Sequence, residues 1–295
     1  MATTFQIQDH HVIQFTRNVE LLLQQKQPRL AGTTSQASYT GEKAQVVLQF
    51  GEVEMQPFNS GAAPGEWKGD TVWSDIEHHQ RWVFPRDYTL SLPITKPDPL
   101  RMLADPRSPY AEAMRAAYAR LVDDTIIAAA LGTSRTGRYD DLQSVTFPTG
   151  QIIDDNDPLT IDKLIQARER LLAAYNDPSE ERYLLCSERQ ISDLLRTTEV
   201  TNADYATVRA LVKGEVDSFV GFRFITSERL GLAAGKRQCF AWVKSGLHFG
   251  TWNSLEFKSD PRPDKNYVWQ LWQTATIGAT RTQEKKIVQI NCDES

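Results

Sequence analysis

The chain is short of the residues on which most enzymes and metal proteins depend. It has five histidines (His10, His11, His78, His79 and His248) and three cysteines (Cys186, Cys239 and Cys292). The cysteines are odd in number and far apart. That excludes a dense disulfide framework and any CxxC metal motif, and it suits a reducing cytosol. The paired histidines, His10–His11 and His78–His79, are sequence neighbours. They cannot share a helix face, and on a strand they point to opposite sides. No GxGxxG, GxxxxGK[ST] or GxSxG motif is present. No apolar stretch approaches the roughly 18 residues that a membrane span requires. The start, MATTFQIQDHH, has neither a basic cluster nor an apolar run, so no signal peptide is expected. With 38 acidic against 33 basic residues the net charge is -5. That argues against a surface that grips nucleic-acid phosphates.

What is present is a 295-residue chain, 40% apolar, able to build a sizeable core. Val12, Phe15, Val19, Leu22 and Leu23 predict an amphipathic helix over Val12–Gln25. Pro28 and the small polar stretch AGTTSQASYTG follow, so this helix stands apart from the body. Ala44, Val46, Leu48 and Phe50 alternate as a strand, and a bulge is expected at Gly51. A second extended run carries Trp82, Phe84, Tyr88, Leu90 and Leu92, interrupted by Pro85. The Gly-rich stretch 59–70 lies between the two runs. Together they predict a long β-hairpin, too long to stand alone in water and so in need of a partner.

Ser108 and Pro109 start the clearest helix, which ends at Gly132 and spans roughly 35 Å. Met114, Tyr118, Leu121, Val122, Thr125 and Ile126 form its expected buried stripe, with alanines as helix-favouring filler. Residues 132–158 read mostly as loop. Thr160 caps a helix carrying Leu164, Ala167, Leu171 and Leu172. Arg182–Cys186 reads as a strand, Ser187 caps a short helix, and Tyr205–Val212 is expected to be helical. Val216–Ile225, Cys239–Val243, Val268–Ile277 and Lys286–Ile290 read as extended. This order predicts an α+β fold.

Candidate chemistry is sparse. Gly132–Gly137 superficially resembles a phosphate loop, but it follows a helix and lacks the Lys-Ser/Thr pair. A helix-ending turn is the better reading. Asp154, Asp155 and Asp157 lack the spacing and the glutamate of a calcium loop. Asp123 and Asp124 lie inside the long helix and need partners if buried; Arg115, Arg120 or another chain could supply them. Arg281, Lys285 and Lys286 are too sparse to read nucleic acid and fit a solvated strand end. Trp67 and Trp73, in or beside the Gly-rich loop, either fold back onto their own subunit or mark an interface. No catalytic, cofactor-binding or metal-binding residue is expected.

A specific signal appears at Leu211–Leu230, LVKGEVDSFVGFRFITSERL. This resembles the glycine, then glycine-phenylalanine, then serine and leucine pattern of major capsid proteins of tailed bacteriophages with the Hong Kong 97-like fold. A second likeness begins at Asp98, in DPLRMLADPRSPYAEAMRAAYARLVDDTIIAAALG, and a third closes the chain at Gly278-Ala279-Thr280-Arg281. The three occur in the family's order.

The resemblance implies an α+β Hong Kong 97-like capsid fold. Residues 1–40 would be an N-terminal arm and 41–97 an extended loop, a long β-hairpin lying over a neighbouring subunit. Residues 98–158 would begin the peripheral domain, with the long helix as its spine. Residues 159–260 would be the axial domain, and 261–295 the closing strands of the peripheral domain. It implies a major capsid protein, not an enzyme, that self-assembles into pentamers and hexamers of an icosahedral shell enclosing double-stranded DNA. Implied partners are a portal protein and, beyond it, scaffolding and decoration proteins, with no membrane. The implied location is the virion capsid, assembled in the host cytoplasm. Lys68 stands where some family members crosslink subunits, but no matching asparagine or helping carboxylate is identifiable, so crosslinking is not predicted. Encapsulin-type bacterial compartments share the fold and are the alternative reading; a soluble α+β enzyme is a third.

Overall fold

The computed structural model of the protein describes residues 25–51, 53–55, 73, 75–76, 78–94, 107–138, 140–174, 176–196 and 218–294. The expected helices at Val12–Gln25 and Tyr205–Val212 lie outside these residues, apart from Gln25. So do His10, His11, Trp67 and Lys68.

In chain order the first elements are β1 (Ser35–Ser38), β2 (Ala44–Phe50), β3 (His78–Val83), β4 (Arg86–Ile94) and the long helix α1 (Arg107–Leu131). Then come β5 (Ser134–Arg138), β6 (Asp141–Val145), β7 (Ile152–Asp154), α2 (Ile161–Ala173), β8 (Arg182–Cys186) and α3 (Glu188–Arg196). The last are β9 (Ser218–Phe219), β10 (Phe222–Thr226), β11 (Leu232–Ala233), β12 (Lys236–Val243), β13 (Leu247–Arg262), β14 (Val268–Arg281) and β15 (Ile287–Asp293). The chain forms two compact units. The smaller draws on the described residues within 1–27, 88–120 and 255–275; the larger holds 28–87, 121–254 and the described part of 276–295.

The larger unit is organised by a seven-stranded mixed sheet in the order β7-β15-β12-β8-β10-β9, with β11 paired to β12. β12 runs antiparallel to both β8 and β15, whereas β10–β8 and β15–β7 are parallel. Strands β8, β12 and β15 are buried almost throughout, which fits their near-continuous apolar runs. α2 supplies Leu164, Ala167 and Leu171 to the buried set, and the Thr160 hydroxyl caps it by accepting from the Lys163 amide at 3.3 Å. β7 and β15 were expected to belong with the spine helix, yet they are hydrogen-bonded into this sheet.

A second sheet of the larger unit has the order β2-β3-β5-β6. β2 and β3 form the expected antiparallel hairpin, with Ala44 opposite Val83 and Phe50 opposite His78. Its irregularity falls between Gln45 and Val47 instead of at Gly51. The second extended run is two strands, because Pro85 cannot donate a ladder bond and the chain changes sheet there. Tyr88, Leu90 and Leu92 therefore sit on β4, in the sheet β1-β13-β14-β4, not in the hairpin arm. Residues 132–158, read as loop, contain the β5–β6 hairpin and β7.

The long helix starts one residue before Ser108 and ends where expected. Gly132 donates to Ala128 O at 2.9 Å, and a Cβ there would stand 2.4 Å from that same oxygen. Met114, Val122 and Ile126 of the expected stripe are buried. So are Ala116, Ala119 and Ala130, whose small size permits close approach by neighbouring elements. In the smaller unit Met114 packs with Ile94 and Leu271, flanked by Leu90, Leu92, Tyr110 and Trp269. Val216–Ile225 is a hairpin instead of one strand. Val220 (φ 51°) and Gly221 (φ 81°) turn the chain between β9 and β10, the pattern of a two-residue hairpin loop with both φ values positive.

Candidate functional site

Chemistry and structural pairing compete for buried polar side chains. Asp123 is fully buried, and its carboxylate accepts the backbone amides of Arg29 and Leu30 at 3.0–3.1 Å. Asp124 pairs with Arg229. The expected ion pair is thus present, but its cation comes from a residue 105 positions away, and Asp123 anchors a backbone turn.

Backbone carbonyls of the Asp154–Asp157 segment gather around an ammonium group. Lys163 is buried, and its Nζ donates to Asp157 O at 2.6 Å, Asn291 O at 2.9 Å and Asp155 O at 3.4 Å. Asp154 turns away to pair with Lys236 at 2.6 Å, which lowers its carboxyl pKa. Among the described residues no group of three or more His, Cys, Asp or Glu is placed to hold a metal.

Arg281 overturns its reading as part of a solvated strand end. It is completely buried. Nη1 donates to Gly132 O at 2.8 Å and Ala130 O at 3.0 Å, and Nη2 to Val145 O at 3.2 Å and Ser134 Oγ at 3.4 Å. Arg81 joins it, donating to Ser134 Oγ and Glu284 Oε2, each at 2.6 Å. Burial lowers the Arg281 pKa while Glu284 beside it opposes that shift. The guanidinium closes the carbonyl end of α1, where a cation is favoured, and pins the root of the β2-β3-β5-β6 sheet.

The three cysteines, distant in sequence, occupy the neighbouring strands β8, β12 and β15, and all three are free and buried. A Cys239–Cys292 hydrogen bond and burial raise the Cys239 thiol pKa, and burial raises that of Cys186. Buried thiols held protonated are poor nucleophiles. His248 is likewise internal. Nδ1 meets Ser35 Oγ at 2.9 Å and Nε2 meets the Tyr39 hydroxyl at 2.8 Å, so β13 clasps the segment around β1. Burial lowers its pKa to about 4. Tyr39 also lies 5.2 Å, ring centre to ring centre, from Trp252. Gly250 lets it sit close, since a Cβ there would stand 3.0 Å from the Tyr39 ring.

His78 and His79 line an open cleft of about 560 Å³ with Gln80, Thr136, Arg138 and Asp141. The Gly132–Gly137 segment is the expected helix-ending turn running into β5. Beyond the Phe50–His78 end of the β2–β3 hairpin, Met55 is 99% exposed and Trp73 90% exposed, with Val53 also open. Trp73 does not fold back onto its own subunit. Composition gave no sign of the Lys163 cage, the Arg281 cluster or the His248 clasp, because their partners lie far along the chain.

The described residues therefore offer closed structural networks and an open apolar rim. A family model described as "Phage capsid protein" matches residues 7–294. The capsid of cyanophage P-SCSP1u is similar at TM-score 0.72 and 17% identity, covering 97% of this chain and 94% of that one. The capsid asymmetric unit of cyanophage Pam1 gives TM-score 0.72 at 12% identity, covering 99% and 98%. The capsid of a native GTA particle, computed with C5 symmetry, gives 0.67 at 11% identity, covering 99% of each. No curated protein sequence matches. The matched family is one of structural shell proteins, which leaves the encapsulin and enzyme readings without support. By a family match over almost its whole length, and by its fold, the chain belongs to the phage capsid protein family.

Proposed function

We propose that this chain is the repeated coat subunit of a phage head. Copies close into pentamers and hexamers, and these join in an icosahedral shell around double-stranded DNA. The near full-length family match carries the reading. The exposed Val53, Met55 and Trp73 beside the hairpin support it, because large apolar groups left open on a subunit mark a surface that another chain covers. In this reading residues 1–40 are the arm, 41–97 the extended loop, 98–158 and 261–295 the peripheral domain and 159–260 the axial domain. β7 and β15 lend their edges to the axial sheet. A portal protein occupies one vertex, scaffolding and decoration proteins are further partners, and assembly takes place in the host cytoplasm before the shell becomes part of the virion. Heterologous contacts around closed rings repeat many times, so each can be modest while the shell is stable.

Electron microscopy of the purified full chain tests this. Uniform icosahedral particles, or rings of five and six, are the expected result. A persistent monomer at high concentration contradicts it. Mature particles run on a denaturing gel should give a single monomer band; a ladder would show that Lys68 or another group is crosslinked after all.

A further inference from the structure

The β9–β10 turn closes the outermost edge of the seven-stranded sheet, and two guanidinium groups converge on it. A side chain placed on Gly221 would begin 3.7 Å from Arg182 Nη2 and 3.8 Å from Arg168 Nε. The two cations therefore flank one point, and a glycine leaves that point open. Arg182 reaches it from the start of β8 and donates to Gly221 O at 3.3 Å and Pro178 O at 3.2 Å. Those bonds hold the turn, in which Val220 has a positive φ that a β-branched residue rarely adopts. Arg168 reaches it from an exposed position on α2.

Three acids near this corner, Asp177, Glu180 and Glu181, have other partners. Asp177 accepts the Ser179 amide at 2.8 Å, and Glu180 accepts the Ser245 hydroxyl at 2.9 Å. Glu181 accepts the Tyr183 hydroxyl and stands 3.8 Å from Arg223 and 4.0 Å from Lys244. Among the described residues neither Arg168 nor Arg182 has a carboxylate partner. Two like charges held around one open point favour an anion between them, and a planar guanidinium matches a carboxylate in bidentate fashion.

We propose that Arg168 and Arg182, over Gly221, form a receptor for a carboxylate side chain of a second copy of this chain. The inference rests on the shell reading and adds to it a specific intersubunit site. A second copy fits best for two reasons. Among the described residues the receptor lies at the edge of a sheet, and the chain carries more acidic than basic residues, so its own surface supplies the complementary charge.

The test is the subunit concentration at which the purified full chain assembles, followed by sedimentation velocity at low and high salt. Arg168 is the residue to change, because Arg182 also supports the turn. Arg168→Glu should raise the threshold about tenfold at low salt, Arg168→Gln less, and Arg168→Lys least. The gap should narrow at high salt, where the attraction is screened. Melting of the unassembled subunit should stay unchanged, which separates a lost contact from a lost fold. Arg168→Glu assembling at the wild-type threshold overturns the receptor while leaving the shell reading intact. The same holds if the variant assembles normally but loses binding to a short DNA duplex, since the site would then take a phosphate. A wild-type chain that forms no rings or shells at any concentration overturns both.

Discussion

The seven-stranded sheet and the β2-β3-β5-β6 sheet treat their side chains in opposite ways. In the first, the buried charged and polar groups are answered from within. The Lys163 ammonium is enclosed by three backbone carbonyls, the three thiols are buried, and Thr160 caps its helix. The second sheet is pinned at its root, where Arg281, Arg81, Ser134 and Glu284 interlock. Away from the root it leaves Val53, Met55 and Trp73 in the open. A body that satisfies its own buried groups needs no neighbour to keep its shape. A strand pair that leaves large apolar groups uncovered does. The contrast separates the buried networks that keep the subunit's shape from the groups left open to a neighbour.

The hardest blow to this contrast falls at the root. Arg281→Ala should destabilise the subunit by about 3–5 kcal/mol, because it leaves several buried carbonyls without their donor and empties a large buried site. Thermal melting of the unassembled chain measures it. A loss below about 1 kcal/mol would mean that the cluster does not anchor the sheet. Lys163→Met comes next, at about 3 kcal/mol, since three carbonyls lose their donor while the hydrocarbon stem is kept. If melting is unmoved, those carbonyls find other partners and the first sheet is less closed than it looks.

The His248 clasp gives a pH dependence with a fixed sign. Its pKa is about 4 when folded, against an ordinary value near 6.5. Between those values the unfolded chain binds more protons than the folded one, so stability falls as pH drops through that window, by about 2–3 kcal/mol in all. His248→Gln should flatten that slope in urea titrations run from pH 7 to 4. A slope as steep as wild type would place the acid sensitivity elsewhere. The smallest effect on the subunit belongs to the open rim. Met55→Ser and Trp73→Ser should each shift its stability by less than about 0.5 kcal/mol, yet both should weaken assembly. A large loss of subunit stability would show that these side chains pack within their own chain.

Local signals carried much of this into view. The long helix ending at Gly132 and the Thr160 cap are written in neighbouring residues, and they appear where spacing and capping predict. Pro85 was noticed as an interruption, but its consequence, a change of sheet between β3 and β4, depends on where β14 lies. β13 went unread because its apolar residues keep no regular period. Arg281 looked like a surface cation because its partners, Ala130, Ser134 and Val145, are well over a hundred positions earlier. The thiols looked scattered for the same reason. The lack of an active-site motif is legible in the sequence too, whereas the exposure of Trp73 and the pairing of Arg168 with Arg182 depend on the fold.

Hydrogen–deuterium exchange on assembled particles and on dissociated subunits tests the contrast most directly. Peptides covering 53–55 and 73–76 should gain protection on assembly, while those covering β8 and β12 should be equally slow in both states. Equal exchange around Met55 and Trp73 in the two states would contradict the account, because the open rim would then remain uncovered in the shell.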